Sequence, residues 1–267
     1  MNRGHCSFKK VIWVITTIYL LFLVNVLILG RFQVTGESME PSYYDGEHIL
    51  VGKWIMGTRI YTHYSNTKSI ITSIRLPGIR KLKAGDVVVF NYPYYQTQDY
   101  ITIDSRHFSL KRCIGAPGDS VIIQEVFYLT PDNGIIGNKN KQKELNILDD
   151  SLLVFTGRSY YTISRQSEKW TVKNLGPFYI PGKGDRLILD SDSLPLYHKI
   201  IKYETGKDPL KESDRNSLYE SGEYPNYCFR TNWFFLAGDN VLNSFDSRFF
   251  GLIPEELIVG IVVGSRS

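Results

Sequence analysis

Side chains that could do chemistry concentrate in three short stretches, and the first surrounds Ser38. In "GESMEP", residues 36–41, Ser38 is followed by Met39 and Pro41, directly after a long uncharged apolar run. Glycine, serine and proline are frequent in turns, so a simple turn is one interpretation. A nucleophile is the other, although Glu40 stands where the G-x-S-x-G elbow of hydrolases requires its second glycine.

The second stretch offers a base for such a nucleophile. None of the histidines stands in a recognisable Ser-His-Asp setting, whereas "LKRCIGAPGDSVII", residues 110–123, holds a lysine among apolar neighbours. If side chains alternate along a strand, Lys111 and Cys113 share one face and Arg112 lies on the other. Burial would lower the pKa of Lys111, and the neutral amine could then accept the proton of a serine hydroxyl. The competing interpretation is a lysine at a strand edge whose amine reaches solvent.

The third stretch is rich in carboxylates and hydroxyls. It reads "GDNVLNSFDSRFFG", residues 238–251, and places Asp246 two residues before Arg248. A calcium loop would need the EF-hand spacing, which is missing, and Arg248 would repel a cation, so we predict no metal site. An ion pair between Asp246 and Arg248 beside hydroxyls is instead typical of a scaffold that orients a neighbouring group.

Taken together, the three stretches resemble the type I signal peptidases of bacteria, which are membrane-anchored serine proteases with a Ser–Lys dyad. "GESMEP" is similar to the family's Ser-Met-x-Pro nucleophile box, and "GDVVVF", residues 85–90, is similar to its strand box. "KRCIGAPGD" resembles the lysine box and "GDNVLNSFDSR" the closing box. The resemblance covers residues 11–125 and 233–264.

The resemblance implies that Ser38 is the nucleophile and that Lys111 is the general base. Some members of the family carry a hydroxyl two residues before the nucleophile, which assists the serine N–H at the oxyanion. Here that position is Gly36, so the second oxyanion donor is left open. No metal ion or organic cofactor is implied.

The resemblance also implies roles for the closing box. Ser244 would hydrogen-bond to the lysine amine, while Asp246 and Arg248 would form the ion pair that fixes the loop. Gly238 would keep the backbone close to the lysine without a side chain in the way. Four apolar residues would line the pockets for small substrate side chains, one and three residues before the cut: Phe32, Val34, Met39 and Leu110.

The implied substrates are signal peptides of exported preproteins, bound as an extended strand. Further expected partners are the lipid bilayer and the protein translocation machinery. Two alternatives stay open: a maturation peptidase dedicated to one substrate, and an inactive homologue that binds preproteins in an export complex. Inactive homologues usually lose the serine or the lysine, and this chain has both.

The composition and spacing of apolar residues indicate a mostly β protein. Tyrosine (18), phenylalanine (14) and glycine (22) are plentiful, which favours strands and turns. The predicted strands are residues 48–55, 86–92, 120–129, 158–166, 169–175, 186–190, 232–238 and 257–264. A single helix is predicted from Ser193 to Gly206. The resemblance implies a coiled β-sheet as the catalytic core.

The elements that must position the chemistry divide into an anchor, a core and an insert. Residues 11–30, "VIWVITTIYLLFLVNVLILG", carry no formal charge and are long enough to cross the bilayer, so we predict an uncleaved transmembrane anchor. Residues 1–10 would lie in the cytoplasm, because Arg3, Lys9 and Lys10 precede the run. Residues 31–131 and 233–267 would form the catalytic core on the outer face of the bacterial cytoplasmic membrane. Residues 132–232, which are polar and rich in turns, would form an inserted, loop-rich β subdomain.

Charge and cysteine content narrow the function further. The formal net charge of the 267 residues is only +4, too small and too evenly spread to indicate nucleic-acid binding. The cysteines, Cys6, Cys113 and Cys228, have no metal-like spacing. At most one disulfide, between Cys113 and Cys228, could form outside the membrane, and nothing in the sequence demands it.

Overall fold

The computed structural model describes residues 3–64, 71–93, 101, 107–130, 134–147 and 170–266. The strand predicted at residues 158–166 lies outside these ranges. The helices are α1 Arg3–Ile28, α2 Lys139–Glu144, α3 Ser193–Thr205, α4 Glu212–Glu220 and α5 Ser247–Phe250. The strands are β1 Leu29–Gln33, β2 His48–Gly52, β3 Arg59–Tyr64, β4 Ile71–Arg75, β5 Val87–Asn91, β6 Phe108–Gly115, β7 Ser120–Gln124, β8 Phe127–Leu129, β9 Leu175–Tyr179, β10 Arg186–Ile188, β11 Asn226–Cys228, β12 Trp233–Ala237, β13 Ile253–Pro254 and β14 Ile258–Arg266.

A seven-stranded antiparallel sheet organises the molecule, in the order β1-β2-β14-β5-β6-β12-β13. The other strands form a three-stranded sheet, β8-β7-β9, the β3–β4 hairpin and a two-stranded sheet, β10-β11. The predicted mostly β architecture is therefore confirmed. The order of the large sheet places β6, which carries Lys111, in its interior between the central strand β5 and β12.

The central strands are buried on both faces. Every residue of β5, "VVVFN", and of β12, "WFFLA", is buried, so these strands are continuous apolar runs without polar alternation. Phe178 in β9 packs edge-on against Phe235 in β12, with 6.5 Å between ring centroids. One core therefore spans the large sheet and part of residues 132–232.

Residues 132–232 contain more helix than the sequence suggested. The predicted helix beginning at Ser193 is confirmed as α3, and Gly206 ends it in the left-handed conformation at φ 76°. Helix α4, in contrast, lies in a stretch predicted to be an exposed loop, and Leu218 holds it to the core. The strand predicted at residues 169–175 is wrong: β9 begins only at Leu175.

The N-terminal helix leads directly into the large sheet. Helix α1 ends at Ile28, and Leu29 already pairs with Gly52 in β2, so the predicted apolar run of residues 11–30 ends in a strand. Within the described part of the chain, no helix is both long enough and apolar enough to cross a membrane. Cys113 and Cys228 are both free thiols, so the allowed disulfide is not formed.

Candidate active site

Ser38 lies at the surface of a tight turn that follows β1. Gly36 starts this turn with φ +82°, a conformation that side chains rarely adopt, and its N–H donates to Asp45 Oδ1 at 2.7 Å. Met39 is buried, while Ser38 is partly exposed. The turn interpretation and the nucleophile interpretation are therefore compatible, because the turn presents the hydroxyl of Ser38.

Lys111 reaches this hydroxyl from the centre of the sheet. It pairs with Val88 across β5 and β6, and only 4% of it is exposed. Its Nζ donates to Ser38 Oγ at 2.6 Å. Cys113 is fully buried and Arg112 is only half-buried, in agreement with the predicted alternation. A strand buried in the sheet thus holds the amine against the serine.

The closing stretch forms a buried network around Asp246. Arg248 Nε and Nη2 donate to the two oxygens of this carboxylate, each at 2.8 Å, and both side chains are buried. Ser244 Oγ and the N–H of Gly238 donate to Oδ2 at 2.7 and 3.0 Å. The expected bond between Ser244 and Lys111 is not formed among the described residues: Lys111 Nζ bonds to Ser38, and the Ser244 hydroxyl donates to Asp246.

Burial alone would raise the pKa of Asp246. The Arg248 charge and the hydrogen bonds to the carboxylate outweigh this effect and hold the pKa of Asp246 below its ordinary value. The network is therefore an ionised pair, as the sequence predicted, and it fixes the backbone of the loop through Gly238.

Gly238 and Asn240 connect this loop to the turn that holds Ser38. The N–H of Asn240 donates to the carbonyl oxygen of Ser38 at 3.0 Å. A Cβ at Gly238 would overlap both that carbonyl oxygen and Ser244 Oγ. The glycine thus allows the two segments to approach closely at Ser38 itself, rather than only beside Lys111.

Two further contacts at the site were not assigned from the sequence. Arg112, on the opposite face of β6 from Lys111, donates to both oxygens of Asp239 at 2.8 and 2.6 Å. Asn243 Nδ2 donates to the carboxylate of Glu37 at 3.0 Å. Both contacts tie the closing loop to segments beside the dyad. Strand alternation predicts where Arg112 points, but the sequence gives no signal for its partner.

Tyr128 is a third residue that sequence reasoning missed. It is buried in β8, and the Arg248 guanidinium lies 6.0 Å from the centroid of its ring. Tyr128 therefore covers the Asp246–Arg248 pair on one side and separates it from solvent. Nothing in the local sequence of β8 signals this contact.

Three of the four predicted pocket residues come together. Phe32, Val34 and Leu110 belong to one small apolar cluster that is separate from the main core. Val89 belongs to the same small cluster. Met39 is buried but does not belong to this cluster. The cluster is formed by β1 and its continuation together with β2, β5, β6 and β14, and it includes the strands next to Ser38 and Lys111.

Comparison with known proteins decides the family. The family model described as "Signal peptidase, peptidase S26" matches residues 7–265. The chain belongs to this family. The match also runs through residues 132–232, so it is wider than the resemblance seen in the motifs. The predicted relationship to signal peptidases is confirmed, and with it the assignment as a serine endopeptidase.

Individual relatives agree with this assignment. Signal peptidase I of Buchnera aphidicola subsp. Baizongia pistaciae is 26% identical over 255 residues, covering 91% of this chain and 71% of the relative. Signal peptidase I of Buchnera aphidicola subsp. Schizaphis graminum is 27% identical over 267 residues, covering 97% and 75%. Signal peptidase IB of Staphylococcus aureus strain COL is 25% identical over 257 residues, covering 94% and 85%.

In this member of the peptidase S26 family, the pKa of Lys111 is well suited to a base. Burial lowers it from an ordinary value of about 10.4 to about 8. Asp246 opposes this shift and Arg248 adds to it. At pH 7 roughly a tenth of the lysine is then neutral, against less than about a thousandth for an ordinary lysine. Desolvation therefore supplies the basic form of the amine.

We expect kcat/KM for peptide cleavage to follow this ionisation. The protonated amine cannot accept the Ser38 proton, so the rate should rise about tenfold per pH unit at low pH and level off above about pH 8. The measurement is kcat/KM for a short peptide substrate across this range. Lys81→Met, at an exposed lysine, should leave the profile unchanged. An acid limb near the ordinary lysine pKa would contradict this prediction.

Gly238→Ala should impair catalysis severely. The added Cβ must displace either the Ser38 carbonyl or Ser244, and a displacement of about 1 Å at a reacting group lowers the rate on the order of 100-fold. The measurement is kcat/KM together with the melting temperature. Gly264→Ala is the matched control, since a Cβ there meets nothing within 4 Å. Equal activities for the two variants would exclude the close approach at Gly238.

Proposed function

We propose that this protein removes signal peptides from exported preproteins, with Ser38 as nucleophile and Lys111 as general base. The observation that carries this proposal is the 2.6 Å hydrogen bond between Lys111 Nζ and Ser38 Oγ. A buried lysine with a pKa of about 8, in contact with a serine at the surface, is suited to nucleophilic catalysis without histidine. The family match to signal peptidases supplies the substrate class.

The reaction proceeds in two steps. Ser38 Oγ attacks the carbonyl carbon of the residue before the cut, and its proton moves to the neutral Lys111 amine. The C–N bond breaks, Lys111 returns the proton to the leaving amino group, and the signal peptide stays attached to Ser38 as an ester. Water then gives a proton to Lys111 and its oxygen attacks the ester carbonyl; the bond to Ser38 Oγ breaks, Lys111 returns the proton to Oγ, and the signal peptide acid is released.

The developing oxyanion needs a hydrogen-bond donor. Within the described part of the chain, the N–H of Ser38 donates no hydrogen bond, which supports its assignment to this role. Gly36 provides no hydroxyl, so the second donor is not assigned to a side chain of this turn.

The selectivity for small side chains follows from the position of β1. In the seven-stranded sheet, β1 stands first in the order and pairs with β2 alone among the described strands. Its other edge supports binding of the substrate as an additional strand. Residues one and three before the cut lie on the same face of an extended peptide. We propose that this face meets the cluster of Phe32, Val34 and Leu110, with Met39 contributing from the turn.

We also propose that α1 inserts in the bilayer, as predicted for residues 11–30. The large apolar side chains between Val11 and Phe22 are exposed around the whole helix, and lipid is a suitable environment for such a helix. Arg3, Lys9 and Lys10 precede this run, which favours an N-terminus in the cytoplasm and a catalytic core on the outer face. We further propose that the membrane-inserted protein contacts the protein translocation machinery.

The division of the chain into parts is likewise proposed. The side chains around the dyad all come from residues 31–131 and 233–267, which supports these ranges as the catalytic core. Residues 132–232 are then the insert. No observation favours the two alternatives, a peptidase dedicated to one substrate or an inactive binding homologue.

Cleavage of a defined preprotein tests the proposed function. The detergent-solubilised full chain is incubated with a preprotein carrying an Ala-x-Ala site, beside Ser38→Ala and the control Ser265→Ala at an exposed serine of β14. We expect N-terminal sequencing to locate the cut directly after that site for wild type and control, and no product with Ser38→Ala. Cleavage by Ser38→Ala, or none by a folded wild type, would refute the proposal.

A further inference from the structure

The β3–β4 hairpin turns its arginines toward the protein and its isoleucines toward the outside, the reverse of the usual arrangement. Its register places Arg59 opposite Arg75 and Ile60 opposite Ile74. Directly opposed residues of an antiparallel pair share a face, and successive residues alternate between faces. One face at the base of the hairpin therefore carries two arginines and the other carries two isoleucines.

The arginine face is the one that contacts the protein. Arg59 Nη2 donates to Asn91 Oδ1 at 2.6 Å, which attaches the hairpin to β5. Arg75 Nη2 donates to the carbonyl oxygens of Glu255 and Ile258 at 2.8 and 2.6 Å. The two arginines thus fix the hairpin to the large sheet beside the strand that pairs with Lys111.

The isoleucine face points away from the protein. Ile60 is 42% exposed and Ile74 is 60% exposed, and the chain continues with Leu76 at 43% and Ile79 at 73%. Sheets with one solvated face normally present polar residues to water on that face. Ile60 and Ile74 are direct neighbours on this face, and exposed apolar residues that adjoin one another mark a contact surface. We call Ile60, Ile74, Leu76 and Ile79 the hairpin surface.

The position of the hairpin next to α1 indicates what covers this surface. Thr58, one residue before β3, donates from Oγ1 to the carbonyl oxygen of Leu27 at 2.5 Å. The N–H of Lys53 donates to the carbonyl oxygen of Ile28 at 2.9 Å. The hairpin therefore starts at the last turn of α1. The apolar side chains of α1 are exposed around the helix, whereas a protein partner would cover one side of it.

We infer that the hairpin surface lies in the interface of the bilayer beside the end of α1, and this inference rests on the proposed insertion of α1. The exposed lysines Lys81 and Lys83 follow the surface directly and complement anionic lipid headgroups. Because the hairpin is bonded to β5, its contact with lipid fixes the height of Ser38 and Lys111 above the membrane. Emerging signal peptides would then meet the dyad at a set distance from the bilayer.

Spin-label accessibility in vesicles tests this inference. The full chain, with Cys6→Ser and Cys228→Ser, is labelled at Ile74→Cys, at Leu20→Cys in α1, or at Ile188→Cys, a 69% exposed isoleucine of β10. It is placed in phosphatidylcholine–phosphatidylglycerol vesicles. We expect labels at positions 20 and 74 to collide with oxygen and to be protected from a water-soluble nickel chelate. The label at position 188 should show the reverse.

The outcomes separate the inference from the proposed function. A label at position 74 that behaves like position 188, with position 20 still in lipid, overturns the inference and leaves the anchor intact. Chelate access at both 20 and 74 overturns the anchor and the inference together. Protection of position 74 from both reagents means that protein covers the surface, which also overturns the inference. Cleavage of a preprotein in detergent tests the enzyme independently.

A functional measurement complements the labels. Ile60→Asn with Ile74→Asn should lower kcat/KM several-fold for a preprotein embedded in vesicles and leave cleavage of a short soluble peptide unchanged. Ile147→Asn with Ile188→Asn, which replaces two isoleucines that are 84% and 69% exposed, is the matched control. Equal losses for both substrates, or no loss for either, would contradict the inference.

Discussion

Lys111→Met is expected to abolish peptide cleavage while making the fold more stable. Methionine fills a similar volume but cannot accept the Ser38 proton, so kcat/KM should fall on the order of 10⁴-fold, the upper end of what a general base contributes. The buried ammonium, in contrast, is unfavourable for folding because water solvates it in the unfolded chain. One substitution should therefore move activity and stability in opposite directions.

The stability gain has a definite pH dependence. The pKa of Lys111 is about 8 in the folded protein and about 10.4 in the unfolded chain, so the unfolded chain binds more protons between these values. The destabilisation by Lys111 is on the order of 3 kcal/mol at pH 7 and falls as the pH rises through this window. The gain from Lys111→Met should shrink in parallel.

Urea unfolding of wild type and Lys111→Met at about pH 7 and about pH 10 measures this difference. Lys81→Met, at an exposed lysine, should be neutral at both pH values. A Lys111→Met variant that is less stable than wild type at pH 7 would mean that the amine is solvated or paired in the folded state.

The dyad could be predicted because each partner lies in a recognisable local stretch. Ser38 and Lys111 are 73 positions apart, yet each stretch can be interpreted without knowing the pairing of strands. The partner of Ser244 could not be predicted in this way. Its hydroxyl can donate one hydrogen bond and accept others, and only the folded geometry shows that it donates to Asp246 and is not bonded to Lys111. The bond between Arg112 and Asp239 likewise depends on long-range packing.

The same distinction applies to the fold. Strands β5 and β12 are apolar runs that are buried on both faces, so composition alone indicated them. Strand β9, "LGPFY", contains a proline and was missed; it lies at the edge of its sheet, where proline is tolerated. Helix α4 buries only Leu218, so it lacks the apolar period that predicts a helix.

Arg248→Met should destabilise the protein more than any other single change in the closing loop. It leaves the fully buried carboxylate of Asp246 without its cation, and breaking a buried ion pair in this way costs about 3–5 kcal/mol. It also removes donors to the carbonyl oxygens of Val241 and Ser244. The double variant Asp246→Asn with Arg248→Met is the control, because it removes the buried charge and should recover part of the loss.

The effect of pH on stability should change sign in this variant. In the wild type the pKa of Asp246 is lowered, so its stabilising contribution is present above the ordinary aspartate pKa and is lost as the pH falls. Without Arg248, burial raises that pKa, and the variant should lose stability as the pH rises through it. Urea unfolding between about pH 2 and pH 8 covers the wild-type slope below the ordinary aspartate pKa and the opposite slope of the variant above it. Parallel slopes for the two proteins would refute this account of the pair.

Arg248→Met should also shift the pH profile of catalysis. The Arg248 charge helps to lower the pKa of Lys111, whereas Asp246 acts to raise it. Without Arg248 the pKa of Lys111 should rise, because Asp246 then acts on the amine without Arg248 to oppose it. The acid limb of kcat/KM should therefore move to higher pH than in the wild type. The double variant removes both charges and should lie closer to the wild type. An unchanged acid limb in a folded Arg248→Met protein would show that this pair supports the loop but has no electrostatic effect on the base.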